Sequence, residues 1–227
     1  LESVRAARGL ADHFSQVETP TLLAATVSIL LDLQSQAYVV TQVLPAIPPA
    51  QRDLGKWEST LAMTVQGPAE FGRLMRGEWN VTTRQYLMPM LMDVEDPRYP
   101  KDPAALIDYH AASHVRVIDA SSDASPAGWA THALPSMLSG TSHLSRQSEE
   151  LVSTFFVGAD AWSRGLRRAQ SQTAMVQAAF SLMKGEPLPV DPIHGQPYQW
   201  DPATRTLSAP ATAEFSDIRL EPIVVPR

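Results

Sequence analysis

The longest apolar stretch of the chain, residues 19–47, has the spacing of a central helix. Its apolar residues recur at near-heptad intervals, and three more widen the stripe: Leu22, Ile29, Leu33, Val40 and Leu44, with Leu23, Val27 and Leu30. A narrower polar side is predicted from Ser28, Asp32, Ser35 and Gln42. Thr19 and Pro20 suit the N-cap and the first turn, and Pro45 and Pro48 end the helix.

A membrane span is the alternative for this stretch. A span needs about 20 nearly uninterrupted apolar residues. Asp32, Gln34 and Gln36 interrupt the run after about half that length. The pattern therefore favours a core helix, covered by more than one neighbour.

A second long helix is predicted over residues 145–184, where apolar residues step by threes and fours. They are Leu151, Phe155, Trp162, Leu166, Ala169, Thr173, Val176, Phe180 and Met183. Gly185 fits the position just beyond the last turn. The two long helices should be neighbours in the core.

Shorter helices are predicted elsewhere in the chain, and all but the first have proline near their first turn. The first, residues 1–17, turns Val4, Leu10 and Phe14 inward, and others start at Pro48-Pro49, at Pro68 and at Pro103. The helix after Pro68 should kink or break at residues 77–83, and the one after Pro103 should end near Val115. Residues 116–142 lose their periodicity and are predicted to form a long surface loop.

The proline-rich tail, residues 187–227, has the pattern of short strands and turns instead of helices. Residues 198–200 and 205–209 fit a hairpin, and residues 218–225 fit a last strand. A tight turn is expected at Asp191–Gly195, where Pro192 sets φ and Gly195 reaches positive φ. The predicted fold is mainly α: an antiparallel multi-helix bundle over residues 1–186, with a small C-terminal β-hairpin over residues 187–227 packed on it as a clasp.

Composition narrows the function classes. The 227 residues carry a net charge of −6 and no run of Lys or Arg, which argues against nucleic acid as a partner. The chain has no cysteine, which excludes disulfides, thiolate catalysis and Cys-ligated zinc. The lack of thiols suits an oxidising compartment. A signal peptide or anchor removed from before Leu1 is left open.

The tail resembles the ending of a loose group of bacterial envelope proteins that have a membrane-anchored start and a largely helical body. Their ending has the form Leu-Pro-x-Asp-Pro-aromatic-x-Gly-x-Pro-x-x-Tyr. The matching residues here are Leu188, Pro189, Asp191, Pro192, Gly195 and Pro197, while Ile193 replaces the aromatic residue and Trp200 the tyrosine. Residues 19–79, with Gly77-Glu78, also look like that helical body. The resemblance implies a periplasmic or other extracytoplasmic location, and no reaction.

The one arrangement with metal-ligand spacing is Asp108, His110 and His114. Histidines four residues apart share a helix face and can bind one ion, with His132 or His143 as a third ligand. Ala111 stands where a zinc protease would have its glutamate. The simpler interpretation is a pair of surface histidines at a helix end, so we expect no metal site and treat these three residues as weak candidates.

The other polar groups are better explained as ordinary surface residues than as catalytic or ion-binding sites. Residues 139–143 lack a nucleophile elbow, and the carboxylates Asp93, Glu95 and Asp96 lack the spacing of a calcium loop. Arg164, Arg167 and Arg168 are predicted to form a solvated helix face. Five methionines could line an apolar groove, although core filling is the default: Met63, Met75, Met88, Met90 and Met92.

These observations predict a non-enzymatic scaffold or protein-interaction domain at the bacterial cell envelope, without catalytic residues or cofactor. The expected partner is another envelope protein, and contact with the membrane would come only through a removed N-terminal anchor. Two alternatives stay open. One is an apolar small-molecule or lipid-binding protein that uses the methionines, and the other is a metal-dependent hydrolase built on His110 and His114.

Overall fold

The computed structural model of the chain describes residues 2–16, 18, 21–62, 68–92, 103–122, 150, 152–154, 157–213, 215–216 and 218–227. The chain divides into two compact units. The first comprises Leu1–Ser15, Thr26–Val65 and Arg164–Arg227, and the second comprises Gln16–Ala25 and Gln66–Ser163.

The predicted fold class is confirmed, because the protein is mainly helical with a small antiparallel sheet at its C-terminal end. Helices α1 (Glu2–Ser15), α3 (Leu54–Leu61), α5 (Pro103–Ser122) and α6 (Val157–Lys184) are regular. Helix α2 (Leu22–Tyr38) continues through a π-helical turn, Val39–Val43, into Leu44–Ala46. Helix α4 (Pro68–Thr82) likewise continues through a π-helical turn, Thr83–Leu87, into Met88–Met92.

The core of the first unit lies between α2, α3, α6 and the sheet. Its buried residues include Val39, Val40, Leu44, Trp57, Leu61, Met175, Val176, Phe180, Tyr198, Leu207 and Val225. The Gln36 amide donates to Thr173 Oγ1 over 3.0 Å, and the Gln172 amide donates to the Leu33 carbonyl over 3.4 Å. The expected contact between the two long helices is therefore confirmed.

The predicted stripe of α2 is buried at Leu22, Ile29, Val40 and Leu44, but the residues at its edges differ from the prediction. Leu23 and Leu30, expected in the core, are 73% and 51% exposed. Ser28 and Asp32, expected in solvent, are buried. Apolar residues lie on nearly every side of α2, so their spacing does not define where the buried stripe ends.

Arg8 explains how Asp32 can be buried. Its Nε donates to Asp32 Oδ1 over 3.1 Å, and its other nitrogens donate to the carbonyls of Thr60 and Ala62. A buried carboxylate needs such partners. Burial still raises the pKa of Asp32, and the Arg8 guanidinium opposes that rise. These bonds attach α1 to the unit, with Ala11 buried and Leu10, predicted to face inward, 49% exposed.

Side chains cap two helix starts, and a glycine that the sequence predicted ends one helix. The Thr21 hydroxyl accepts a hydrogen bond from the Ala24 amide, and the Asp53 carboxylate accepts one from the Lys56 amide. The predicted cap at Thr19-Pro20 lies outside the described residues. Gly185 has a φ of 76°, and the Glu186 amide donates to the Ser181 carbonyl, which closes α6.

The tail forms a three-stranded antiparallel sheet in the order β1 (Gln199–Asp201), β2 (Thr206–Ser208) and β3 (Ile223–Val224). In the register, Trp200 lies opposite Leu207 and Leu207 opposite Ile223. The predicted hairpin is confirmed. The last strand is shorter than predicted.

The second unit has its own core around α4 and α5. Phe71 stacks on Trp162 with ring centroids 5.1 Å apart, and a methyl carbon added at Gly72 would lie 3.4 Å from Ile118. Leu74, Met75, Leu87, Leu106 and Val117 are also buried there.

Two boundaries in the second unit differ from the prediction. Helix α4 passes through Gly77 without a break and departs from α-helical geometry only at the π-helical turn. Helix α5 runs to Ser122 instead of ending near Val115, so residues 116–122 of the predicted loop are helical. The rest of that loop lies outside the described residues.

Among the described residues, one helical stretch is long and apolar enough to cross a membrane, namely Leu22–Ala46. Length and composition alone make it a candidate, and the core helix of a globular domain passes the same test. Val39, Val40 and Leu44 of this stretch are buried in the first unit.

Candidate functional site

His110 and His114 lie in the middle of α5, one turn apart and both buried. The interpretation of surface histidines at a helix end is wrong for two reasons. The helix continues past Val115 to Ser122, and α4 packs against it. Arrangement on one helix face, expected from the spacing, places the two imidazole centroids 4.5 Å apart, edge to face.

The hydrogen-bond network indicates the tautomer of each ring. The Thr82 hydroxyl donates to the Glu78 carbonyl over 2.7 Å, so its oxygen can accept from His110 Nε2 at 3.4 Å. His114 Nδ1 donates to the His110 carbonyl over 3.1 Å. His110 Nδ1 and His114 Nε2 therefore carry the lone pairs, and both atoms are buried.

Both imidazoles are neutral at pH 7. Burial lowers the pKa of His110 to about 3, and the neighbouring His114 adds to that shift. Burial also lowers the pKa of His114 to about 4, while its hydrogen bond to the His110 carbonyl opposes the shift. In both cases the main cause is the loss of hydration of the imidazolium form.

The described residues do not add a third ligand to this pair. Asp108 is exposed on the same helix, and no group of three His, Asp or Glu residues converges within the described part of the chain. His132 and His143 lie outside that part. We assign no metal to the pair.

The three arginines of α6 differ in their surroundings. Arg164 and Arg168 are exposed, as predicted for a solvated face. Arg167 is buried, and its guanidinium carbon lies 5.8 Å from the centroid of Phe215, so the prediction is wrong for this residue. The carboxylates at residues 93–96 and the polar residues 139–143 lie outside the described residues.

The Asp191 carboxylate is buried and accepts four hydrogen bonds. Its Oδ2 accepts from Ser171 Oγ over 2.6 Å and from the Tyr198 hydroxyl over 2.8 Å. Its Oδ1 accepts from the amides of Ile193 and His194 over 2.9 and 2.8 Å. Gly195 has a φ of 63°, so the predicted tight turn is confirmed. The carboxylate's hydrogen-bonding capacity is used to hold the fold.

The methionines do not share one surface. Met75 is 1% exposed in the second unit's core, whereas Met88 and Met92 are 41% and 76% exposed. Met63 lies outside the described residues. The apolar groove that the sequence suggested is not assembled by the described methionines.

A surface that the sequence did not single out lies on α2. We call Leu30, Gln34, Ala37 and Tyr38 the outer α2 face, because they share one side of the helix and all are exposed. Leu30 and Tyr38 are 51% and 60% exposed. The sequence analysis placed Leu30 in the core, and only the tertiary structure shows that it is exposed.

The comparisons with known proteins assign no family. Neither a protein-family model, nor a curated protein, nor a solved structure matches the chain.

Proposed function

We propose that this chain is a non-enzymatic scaffold or protein-interaction domain of the bacterial cell envelope, and that it binds another envelope protein through the outer α2 face. The observation that carries the proposal is the exposure of Leu30 and Tyr38 on one side of α2. Large exposed apolar side chains that share a face are typical of protein-binding sites.

The outer α2 face is presented by a fixed helix. On the opposite side, Gln36 bonds to the Leu61 carbonyl and to Thr173, and Asp32 bonds to Arg8. Because the helix is already held in place, binding a partner there would cost less conformational entropy. Tyr38 offers a large ring and a hydroxyl group, and Gln34 offers an amide, which together suit a mixed apolar and polar interface.

The proposed compartment rests on two observations from the sequence. One is the resemblance of the tail, from Leu188 to Trp200, to the endings of bacterial envelope proteins. The other is the lack of cysteine in 227 residues, which suits an oxidising environment.

Site-specific photo-crosslinking in cells of the source organism tests the interface. A photoreactive amino acid at Tyr38 should give a discrete adduct with one envelope protein. The same amino acid at Ala203, exposed in the β1–β2 turn, is the matched control and should give none. Equal adducts at both positions, or no adduct at Tyr38, would remove the proposed interface.

The purified partner then allows a direct affinity measurement. Leu30→Glu and Tyr38→Glu should each weaken binding at least about 10-fold, as loss of a central apolar contact does. Their unfolding midpoints should equal that of the parent, because both side chains point to solvent. An unchanged Kd would contradict the assignment of this face.

The compartment is tested with a cysteine introduced into the cysteine-free chain. Ala50→Cys places the thiol at an exposed position. A membrane-impermeant maleimide should label it once the outer membrane is selectively permeabilised. Labelling only after the inner membrane is broken would contradict the envelope location.

A further inference from the structure

The buried histidine pair of α5 has a geometry that responds to acid. We propose that His110 and His114 form an acid-sensitive catch, and that protonation of the two rings releases α5 from α4. This inference concerns the second unit and does not depend on the proposed function.

The position of the accepting atoms is the first argument. Thr82 and the His110 carbonyl hold the N–H groups, so a proton must add to His110 Nδ1 or His114 Nε2. Both nitrogens are buried. An imidazolium at either atom loses most of its hydration unless the helices separate.

The mutual distance of the rings is the second argument. With centroids 4.5 Å apart, two imidazolium groups would repel each other strongly in a weakly polarisable interior. The second proton is therefore harder to add than the first while the rings stay packed. Opening relieves both the repulsion and the lost hydration.

The charged groups that the structure describes on α4 and α5 have identified positions. On α4, the Glu70 carboxylate pairs with Arg73, and Glu78 Oε1 accepts from the Leu22 amide over 2.5 Å. On α5, the Arg116 guanidinium lies over the Tyr109 ring. The remaining charged side chains described on these two helices are at least partly solvated: Arg76, Arg84, Asp108 and Asp119.

Linkage gives the size of the response. The closed form has pKa values of about 3 and 4 for the two rings, and a solvated imidazole has a pKa of about 6.5. The open form therefore gains protons as the pH falls below about 6.5, and stability of the closed form is lost in that direction. Between pH 7 and pH 5 the open population should rise about 25-fold for one ring and about 600-fold for two.

Native-state hydrogen exchange of the full chain with EDTA present measures this opening. Peptides from α5 should show a rise of about 600-fold in the opening constant from pH 7 to pH 5, after correction for the intrinsic exchange rate. Peptides from α3 and β2 should change far less. Equal loss of protection in all peptides would mean global acid unfolding and would overturn the catch.

Matched variants separate the contribution of each ring. His110→Gln keeps a donor at the Nε position and His114→Asn keeps one at the Nδ position, and each should reduce the response to about 25-fold. In the double variant, the opening constant of α5 should not change between pH 7 and pH 5. His13→Asn, at an exposed position of α1, should keep the full response. A full response in the double variant would refute the proposal.

Proton NMR of the parent keeps the test decisive if a variant fails to fold. The Cε1 protons of His110 and His114 should stay at their neutral shifts while α5 is protected, and should titrate only as protection is lost. Titration near pH 6.5 with α5 still protected would overturn the proposal. So would a pH response that appears only without EDTA.

Discussion

At the residue scale, the Asp191 carboxylate connects three parts of the first unit. It joins Ser171 on α6 to the tight turn and to Tyr198 just before β1. The same carboxylate raises the pKa of the Tyr198 hydroxyl, although burial is the larger cause of that rise. A buried carboxylate with four donors is stabilising only while all the donors stay in place.

Asp191→Ala should destabilise the first unit by about 3–5 kcal/mol, because it removes the carboxylate that accepts from two hydroxyl groups and two amides at a buried site. Chemical denaturation followed by Trp fluorescence measures the loss. Asp201→Ala is the matched control, since Asp201 accepts the Ala203 amide and the Thr204 hydroxyl in an exposed turn. A midpoint equally low in both variants would contradict the special role of Asp191.

At the element scale, α2 shows how a helix can be apolar on both sides and still have one buried face. Ile29 is 5% exposed and its neighbour Leu30 is 51% exposed. Successive helical residues are about 100° apart around the helix axis, so Ile29 can face the core while the adjacent Leu30 faces the solvent. The buried face also carries Asp32 and Gln36, whose partners lie far away in the sequence.

Two adjacent substitutions test this orientation. Ile29→Gln should lower the free energy of unfolding by about 3 kcal/mol, because it buries an amide in an apolar site. Leu30→Gln should stay within about 0.5 kcal/mol of the parent, as surface changes do. Urea denaturation of both variants is the measurement. The reverse order would show that α2 is turned the other way.

At the scale of the whole molecule, the tail completes the core of the first unit. Tyr198, Leu207, Ile223 and Val225 belong to the same buried cluster as Phe180 of α6. Arg205, with a φ of 56°, donates to the carbonyls of Val225 and Pro226 and so ties the end of the chain to the hairpin. A clasp, as predicted for residues 187–227, requires contacts of this kind between the tail and the helices.

A chain that ends at Glu186 should lose the cooperative unfolding transition of the first unit. Removing four buried side chains costs on the order of 6–12 kcal/mol, which is comparable to the total stability of a typical domain. Thermal unfolding followed by circular dichroism measures the loss. Val224→Ser, at a 62% exposed position of β3, is the control and should keep the parent Tm. A truncated chain with the parent Tm would show that the tail is no clasp.

The sequence by itself determined most of the helices, the turn at Asp191–Gly195 and the hairpin, although α3 begins at Leu54 and not at Pro48-Pro49 as predicted. These features depend on interactions between near neighbours in the chain, such as the cap at Asp53 and the positive φ of Gly185 and Gly195. Apolar spacing also identified the buried side of α6, where Trp162, Leu166, Val176 and Phe180 are buried, because its opposite side is polar.

Only the tertiary structure decided that Ser28 and Asp32 of α2 are buried while Leu30 is exposed, and that the two histidines lie in the core. The burial of Asp32 and Gln36 depends on Arg8 and Thr173, which are 24 and 137 residues away from them in the chain. His110 and His114 are buried because α4 packs on α5, and their spacing alone fits a surface pair equally well. Local periodicity reports which residues share a face, and the distant partners of that face determine whether it meets water.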